Sequence, residues 1–255
     1  MMGLYRTDAV VLRSRKYLEA DSLLTLLTDK KGKISAIAKG VRKPQSRLRG
    51  GVQIFTHNAM LLHEGKSLDI VTQSECVEPF IPLQDDFAAI AAASYWSELV
   101  FSLIPEGEAD PGLFQLTLAG FHVLCLSTSN LVIRGLEIKL LAHLGYTPLL
   151  EQCVSCGQKL AENPRITFSV RHGGVLCSVC SNKEAPQNLC NFSHEALNVW
   201  QQLVKMDLSK INRLRITPRA LAILDDVVEE FLLAQLEYPL KSRPILKKML
   251  QAAQE

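Results

Sequence analysis

Two pairs of cysteines, Cys153-x-x-Cys156 and Cys177-x-x-Cys180, stand 20 residues apart and constrain this chain more than any other feature. Two residues between cysteines let the backbone curl until both sulfurs face one point. Two such knuckles complete a tetrahedron around a divalent ion. Gly157, just after the first pair, relieves the backbone where it turns back. The stretches Arg165–Val170 and Gly173–Val175 between the pairs can supply a hairpin. Four thiolates leave no position for water or substrate. A single Zn2+ on Cys153, Cys156, Cys177 and Cys180 is therefore expected to be structural, and the segment to depend on it for folding. Two redox C-x-x-C pairs are the competing reading, although neither opens a thioredoxin-like helix. The other cysteines, Cys76, Cys125 and Cys190, bring the total to an odd 7, which argues against a disulfide framework.

Around this segment the chain changes character. The first 80 residues carry short apolar and β-branched runs at Ala9–Arg13, Leu23–Thr28, Lys33–Ala38, Val52–Leu62 and Leu68–Gln73, punctuated by turn residues. A unit of that size avoids open edges by closing into a barrel. An OB-fold is expected, with an SH3-like barrel open on strand count alone. Past Pro79 and Pro82 the period becomes helical. Asp85 or Asp86 can cap a helix to about Leu103, Pro111 can open a second, and a third is expected over Asn130–Leu144. After the cysteines, Ser193 can cap His194–Met206, and Thr217-Pro218 opens a helix to about Leu236. Lys241, Arg243, Lys247 and Lys248 read as a short basic tail. The expected class is α+β: residues 1–80 a five-stranded OB-fold barrel, 81–149 and 184–255 a helical domain, and 150–183 an inserted four-cysteine zinc ribbon. The 23 uncharged residues between Asp110 and Arg134 contain Pro111, Gly112, Gly120 and Asn130. They read as two buried helices rather than a membrane span. The N-terminus reaches charge at Arg6 and Asp8 before an apolar leader could form, so a cytoplasmic protein without a signal peptide is expected.

The total charge of +2 conceals a segregation: residues 1–66 hold 13 Lys and Arg against 5 Asp and Glu, a surplus that the rest of the chain nearly cancels. Between Lys30 and Arg49 stand eight cations and no acid. Such a field draws polyanions, nucleic acid above all, although a run of charge also serves as a solvated face. A loop of point charges and guanidinium forks can follow a phosphate backbone. No basic recognition helix accompanies it, so binding indifferent to sequence and sensitive to salt is expected. Tyr5, Tyr17 and Phe55 are the aromatics near the cations, and Phe55 reads equally well as barrel core.

Catalytic signatures do not appear. The chain has no G-x-G-x-x-G, phosphate loop, H-E-x-x-H, G-x-S-x-G or zinc-deaminase motif, and its His residues are scattered. A nucleic-acid-binding module is therefore favoured over a zinc-dependent DNA-processing enzyme, with an RNA-binding accessory factor left open as an alternative.

Five stretches, Thr7–Arg15, Leu26–Arg42, Ser46–Gly51, Leu68–Gln73 and Leu140–Pro148 leading into Cys153, resemble the RecO family of bacterial recombination mediators. The resemblance covers essentially the whole chain. It implies an N-terminal OB-fold, a helical domain and a zinc ribbon. It also implies a role: binding single- and double-stranded DNA, annealing complementary strands, contacting the acidic tail of single-strand binding protein, and loading RecA with the partner RecR. By position, Lys33, Lys39, Arg42, Lys43, Arg47 and Arg49 are the implied DNA contacts. The helix Leu131–Leu144, with Arg134 and Lys139, is a candidate dock for that acidic tail. Leu240-Lys-Ser-Arg243 matches the family's usual ending only in part.

Overall fold

The computed structural model describes residues 3–160 and 166–252. By backbone contacts the chain forms two units, one from residues up to Leu126 together with Leu240 onward, the other Ser127–Pro239.

The first unit begins with five strands: β1 (Leu4–Tyr17), β2 (Asp21–Thr28), β3 (Gly32–Ala38), β4 (His57–His63) and β5 (Asp69–Glu78). They close in the order β1-β2-β3-β5-β4. All neighbours are antiparallel except β3 and β5, which pair in parallel through Ala36↔Asp69 and Ile37↔Ile70. That order is the OB-fold's, and it removes the SH3-like alternative. Period-2 alternation sends Ala9, Val11, Leu24, Leu26, Ala36, Met60 and Leu62 inward. Each of the larger side chains among them contributes about 1.5–3 kcal/mol by its burial.

β1 is longer than its sequence predicts because it serves two neighbours. Leu4 to Val10 pair with β4, Ala9 to Tyr17 pair with β2, and an irregularity between Val11 and Arg13 lets the strand bend between them. The expected strand Val52–Leu62 is corrected. Gly50–Val52 is a 3-10 turn and pairing starts only at His57. Val52 is drawn into the core; Phe55, at φ 67°, donates its N–H to the Val11 carbonyl at 2.9 Å, and the Val11 N–H donates to the Thr56 carbonyl at 3.1 Å.

A one-turn helix α1 (Pro82–Asp85) leads into α2 (Phe87–Leu103), capped by Asp86, whose carboxylate accepts from the Ala89 N–H at 2.9 Å. α3 (Pro111–Leu126) lies against α2 with Gly120 under the Trp96 indole, where a Cβ would come within 2.4 Å of Nε1.

In the second unit, α4 (Asn130–His143) is apolar on nearly every face, as a central helix must be. It packs on α6 (His194–Lys205) and α7 (Pro218–Leu233), which follow the cysteine segment. In that segment β6 (Ile166–Ser169) sits between β7 (Gly174–Cys177) and β8 (Leu189–Phe192), and α5 (Ser178–Ser181) follows β7. The expected hairpin is thus present with a third strand added; Arg165 lies outside the described residues. Phe168 of β6 stacks on Trp200 of α6 at 5.8 Å and meets Phe231 of α7 edge-on at 5.6 Å.

The basic tail is the second correction. It returns to the first unit as α8 (Arg243–Ala252), packed on α2 with Leu246 buried. One Glu98 carboxylate oxygen accepts from the N–H and hydroxyl of Ser242, and the other pairs with Arg13 of β1 at 3.2 Å. Burial by itself would raise this carboxyl, but those partners hold it below the usual carboxylate range.

Candidate nucleic-acid interface and metal centre

The segment joining β3 to β4 presents its cations because its apolar residues are pinned. Val41, Leu48 and Val52 pack into the barrel core. Gly40 turns at φ 63°, a conformation that favours glycine, and its N–H donates to Asp21 Oδ1 at 2.7 Å. Successive turns then close from Lys43 N–H to Gly40 O at 3.1 Å and from Ser46 N–H to Lys43 O at 3.0 Å. Lys39, Arg42, Lys43, Arg47 and Arg49 are left exposed along it.

Arg42 and Arg49 come together with Lys16, at the end of β1, around a groove of ≈ 430 Å³. Ser14, Ser22, Gln53 and Ile54 are among its other walls, and no described carboxylate lines it. Lys16 was not among the expected contacts. The only signal for it in the sequence is the run Arg13-Ser-Arg15-Lys16, which the expected strand cut off at Arg13.

Lys33 is corrected. It is 8% exposed, and its ammonium donates to the carbonyls of Phe101 at 2.9 Å and Ile104 at 2.6 Å. These acceptors stand at the end of α2, where the last carbonyls of a helix have no partner within it. Lys33 thus caps a helix and complements its dipole. Arg13 lies over the Phe101 ring at 3.8 Å, and the Lys33 ammonium is 4.5 Å from the same ring. Burial pulls the Lys33 amine below its ordinary range. Lys33→Met is expected to cost about 2 kcal/mol of stability, since two buried acceptors lose a charged donor. Urea unfolding measures it, and the folded variant should bind DNA as the parent does.

The basic run is therefore divided. Lys30 donates to the Arg6 carbonyl at 2.8 Å and Lys31 pairs with Glu64 at 2.6 Å. They stand with Lys33 at the start of β3, whereas Lys39 follows its end, about 20 Å on at the usual rise of a strand. Of the aromatics, Phe55 is buried outside the barrel's own core, 5.9 Å from Phe121 of α3, and the Tyr5 hydroxyl is engaged by Asp69. Tyr17 stays partly exposed.

Arg134 and Lys139 are likewise turned to internal work. Arg134 bridges the fully buried Glu137 at 2.6 Å and Asp225 at 3.0 Å. Burial pushes the Asp225 carboxyl up to about 6, against the pull of Arg134. Lys139 donates to the Val204 carbonyl at 3.1 Å. A helix whose cations are held this way is core rather than a dock, which corrects the expectation for that face.

The four cysteine sulfurs lie within 4.8 Å of one another. Cys156 and Cys177 Sγ are 3.8 Å apart, matching the edge of about 3.8 Å in a tetrahedron with bonds of about 2.3 Å. The first knuckle turns through the Gly157 N–H to the Cys153 carbonyl at 2.9 Å. β7 ends on Cys177, and α5 carries Cys180. Burial raises the Cys153 thiol, but the N–H groups of Cys177, Cys156 and Ser155 converge on it and bring it down to about 6. The Ser155 hydroxyl lowers the Cys180 thiol, while burial and the three neighbouring sulfurs push it up to about 12. Sulfurs this close cannot all ionise without a cation among them. The arrangement can hold a metal ion such as zinc.

These features define an OB-fold protein with a cysteine knuckle set among helices. Residues 1–80 match the family model described as Recombination protein O N terminal, and 84–244 the one described as Recombination protein O C terminal. Proteins named DNA repair protein RecO are similar over nearly the whole chain. The one from Heliobacterium modesticaldum is 40% identical over 251 residues, 97% of this chain and 91% of that protein. That from Pelotomaculum thermopropionicum is 39% identical over 251 residues, covering 98% and 96%. The chain belongs to the RecO family of DNA repair proteins, and its role lies in DNA repair and recombination.

Proposed function

We propose that this chain is a non-catalytic recombination mediator. It binds single- and double-stranded DNA through the barrel mouth and anneals complementary strands. It helps load RecA on DNA covered by single-strand binding protein, in contact with that protein's C-terminal tail and with RecR. It works in the cytoplasm, at the nucleoid. The observation that carries this reading is the groove walled by Lys16, Arg42 and Arg49 without a described acid. Lys39, Lys43 and Arg47 stand exposed on the same segment. Point charges and forks on a fixed backbone suit phosphates and leave base edges unread. The four cysteines hold one structural Zn2+, since four thiolates close the coordination sphere.

The test is annealing of complementary strands covered by single-strand binding protein, with and without its C-terminal tail. Annealing that requires the tail is the expected result. Failure to anneal in both arms, or cleavage of the DNA, overturns the proposal.

A further inference from the structure

The groove at the barrel mouth does not end at Ile54. Ser14 and Ile54 are also walls of a second groove, of ≈ 360 Å³, bordered by Arg15 and Lys241 and reaching Ser94 of α2. Ser94, Ser242 and Ile245 are in turn walls of a third, of ≈ 220 Å³, completed by Phe87, Ile90 and Met249. All three lie within the first unit.

The chemistry changes along this track. At the barrel end it is cationic, and Arg15 and Lys241 continue the charge, both exposed. The carboxylate on the way, Glu98, is occupied by Arg13 and Ser242. At the far end the walls are apolar and open: Phe87 is 80% exposed and Ile245 56%. A polyanion with flat apolar faces free along its length fits both ends. A duplex fits only the first, because its bases face inward.

We infer that single-stranded DNA leaving the barrel mouth continues across β1 onto α2 and α8, with Arg15 and Lys241 on its phosphates and Phe87 and Ile245 against its bases. The inference rests on the proposed function, DNA binding at the barrel mouth. It makes the C-terminal helix part of the DNA surface and gives the chain a preference for long single strands.

The test measures anisotropy of labelled oligothymidylates of about 8 nucleotides, within the reach of one OB-fold, and about 30, beyond it, and of a duplex as long as the second. R15E/K241E should lower the salt slope for the long strand by about 1.4, two contacts at about 0.7 each, and leave the short strand unchanged. F87A should weaken the long single strand about fivefold or more, the loss of one stacked base, and spare the duplex. These side chains are exposed, so neither variant threatens the fold. If R15E/K241E leaves the long-strand slope unchanged while K16E/R42E/R49E lowers it, the strand stops at the barrel mouth and only this inference falls. If K16E/R42E/R49E also leaves the slope unchanged, the barrel-mouth reading falls with it. Equal losses for single strand and duplex in F87A overturn the base contact.

Discussion

Replacing Lys16, Arg42 and Arg49 together by Glu is expected to lower the salt dependence of DNA binding sharply. Each phosphate contact displaces counterions and adds about 0.7 to the slope of log affinity against log salt for a single strand, so three lost contacts remove about 2. A charge-assisted contact is worth about 1.5–3 kcal/mol. At low salt the affinity should then fall by about a hundredfold or more, even if the contacts are imperfect. The fold should survive, because these side chains are exposed and their neighbours Val41, Leu48 and Val52 hold the segment in place. Lys30→Glu, at the other end of β3, is the control and should change the slope little. Titrations at several salt concentrations measure both. An unchanged slope in the triple variant removes the barrel mouth from the interface.

Removing the metal should have the second large effect. The purified protein is expected to carry one equivalent of zinc, and Cys177→Ser or a strong chelator to release it. Structural zinc contributes an apparent ~10–16 kcal/mol in small knuckles, comparable to the whole stability of a typical domain, about 5–15 kcal/mol. The segment from Cys153 to Cys180 should therefore lose its structure. Phe168 stacks on Trp200, so the loss should be visible in Trp200 fluorescence. The barrel has no residue in that segment, so it should keep its DNA affinity. Metal content by mass spectrometry and fluorescence during chelation test this together. A metal-free protein with unchanged Trp200 emission would contradict a structural role.

What the sequence made legible follows from the range of the interactions. Caps such as Asp86 and Ser193 act over three residues, and the structure places them where the spacing predicted. The cysteine knuckles are equally local, and their four sulfurs do converge. The barrel strands could be read from alternation, but their order could not. The parallel pairing of Ala36 with Asp69 depends on closure of the whole sheet. Lys33 was misread because a cation in a basic run carries no mark that separates an exposed ammonium from one turned to the end of a helix about 70 residues later. Lys139 was misread for the same reason, since its partner Val204 lies far along the chain; of the two partners of Arg134, Glu137 is local and only Asp225 is distant. α8 was missed although Ile245, Leu246, Met249 and Leu250 recur at helical spacing, because the cations among them read as a tail. Its helix is supported by α2 rather than by its own propensity.

The carboxylate of Glu98 holds Arg13 and Ser242 at once, and this ties the folding of the barrel's unit to the timetable of the ribosome. Arg13 is made before α2 and Ser242 after it, with all of Ser127–Pro239 in between. At about 5–20 residues per second, the seat on α2 waits roughly 7–30 seconds for α8. During that interval the face of α2 on which α8 packs has no cover from it.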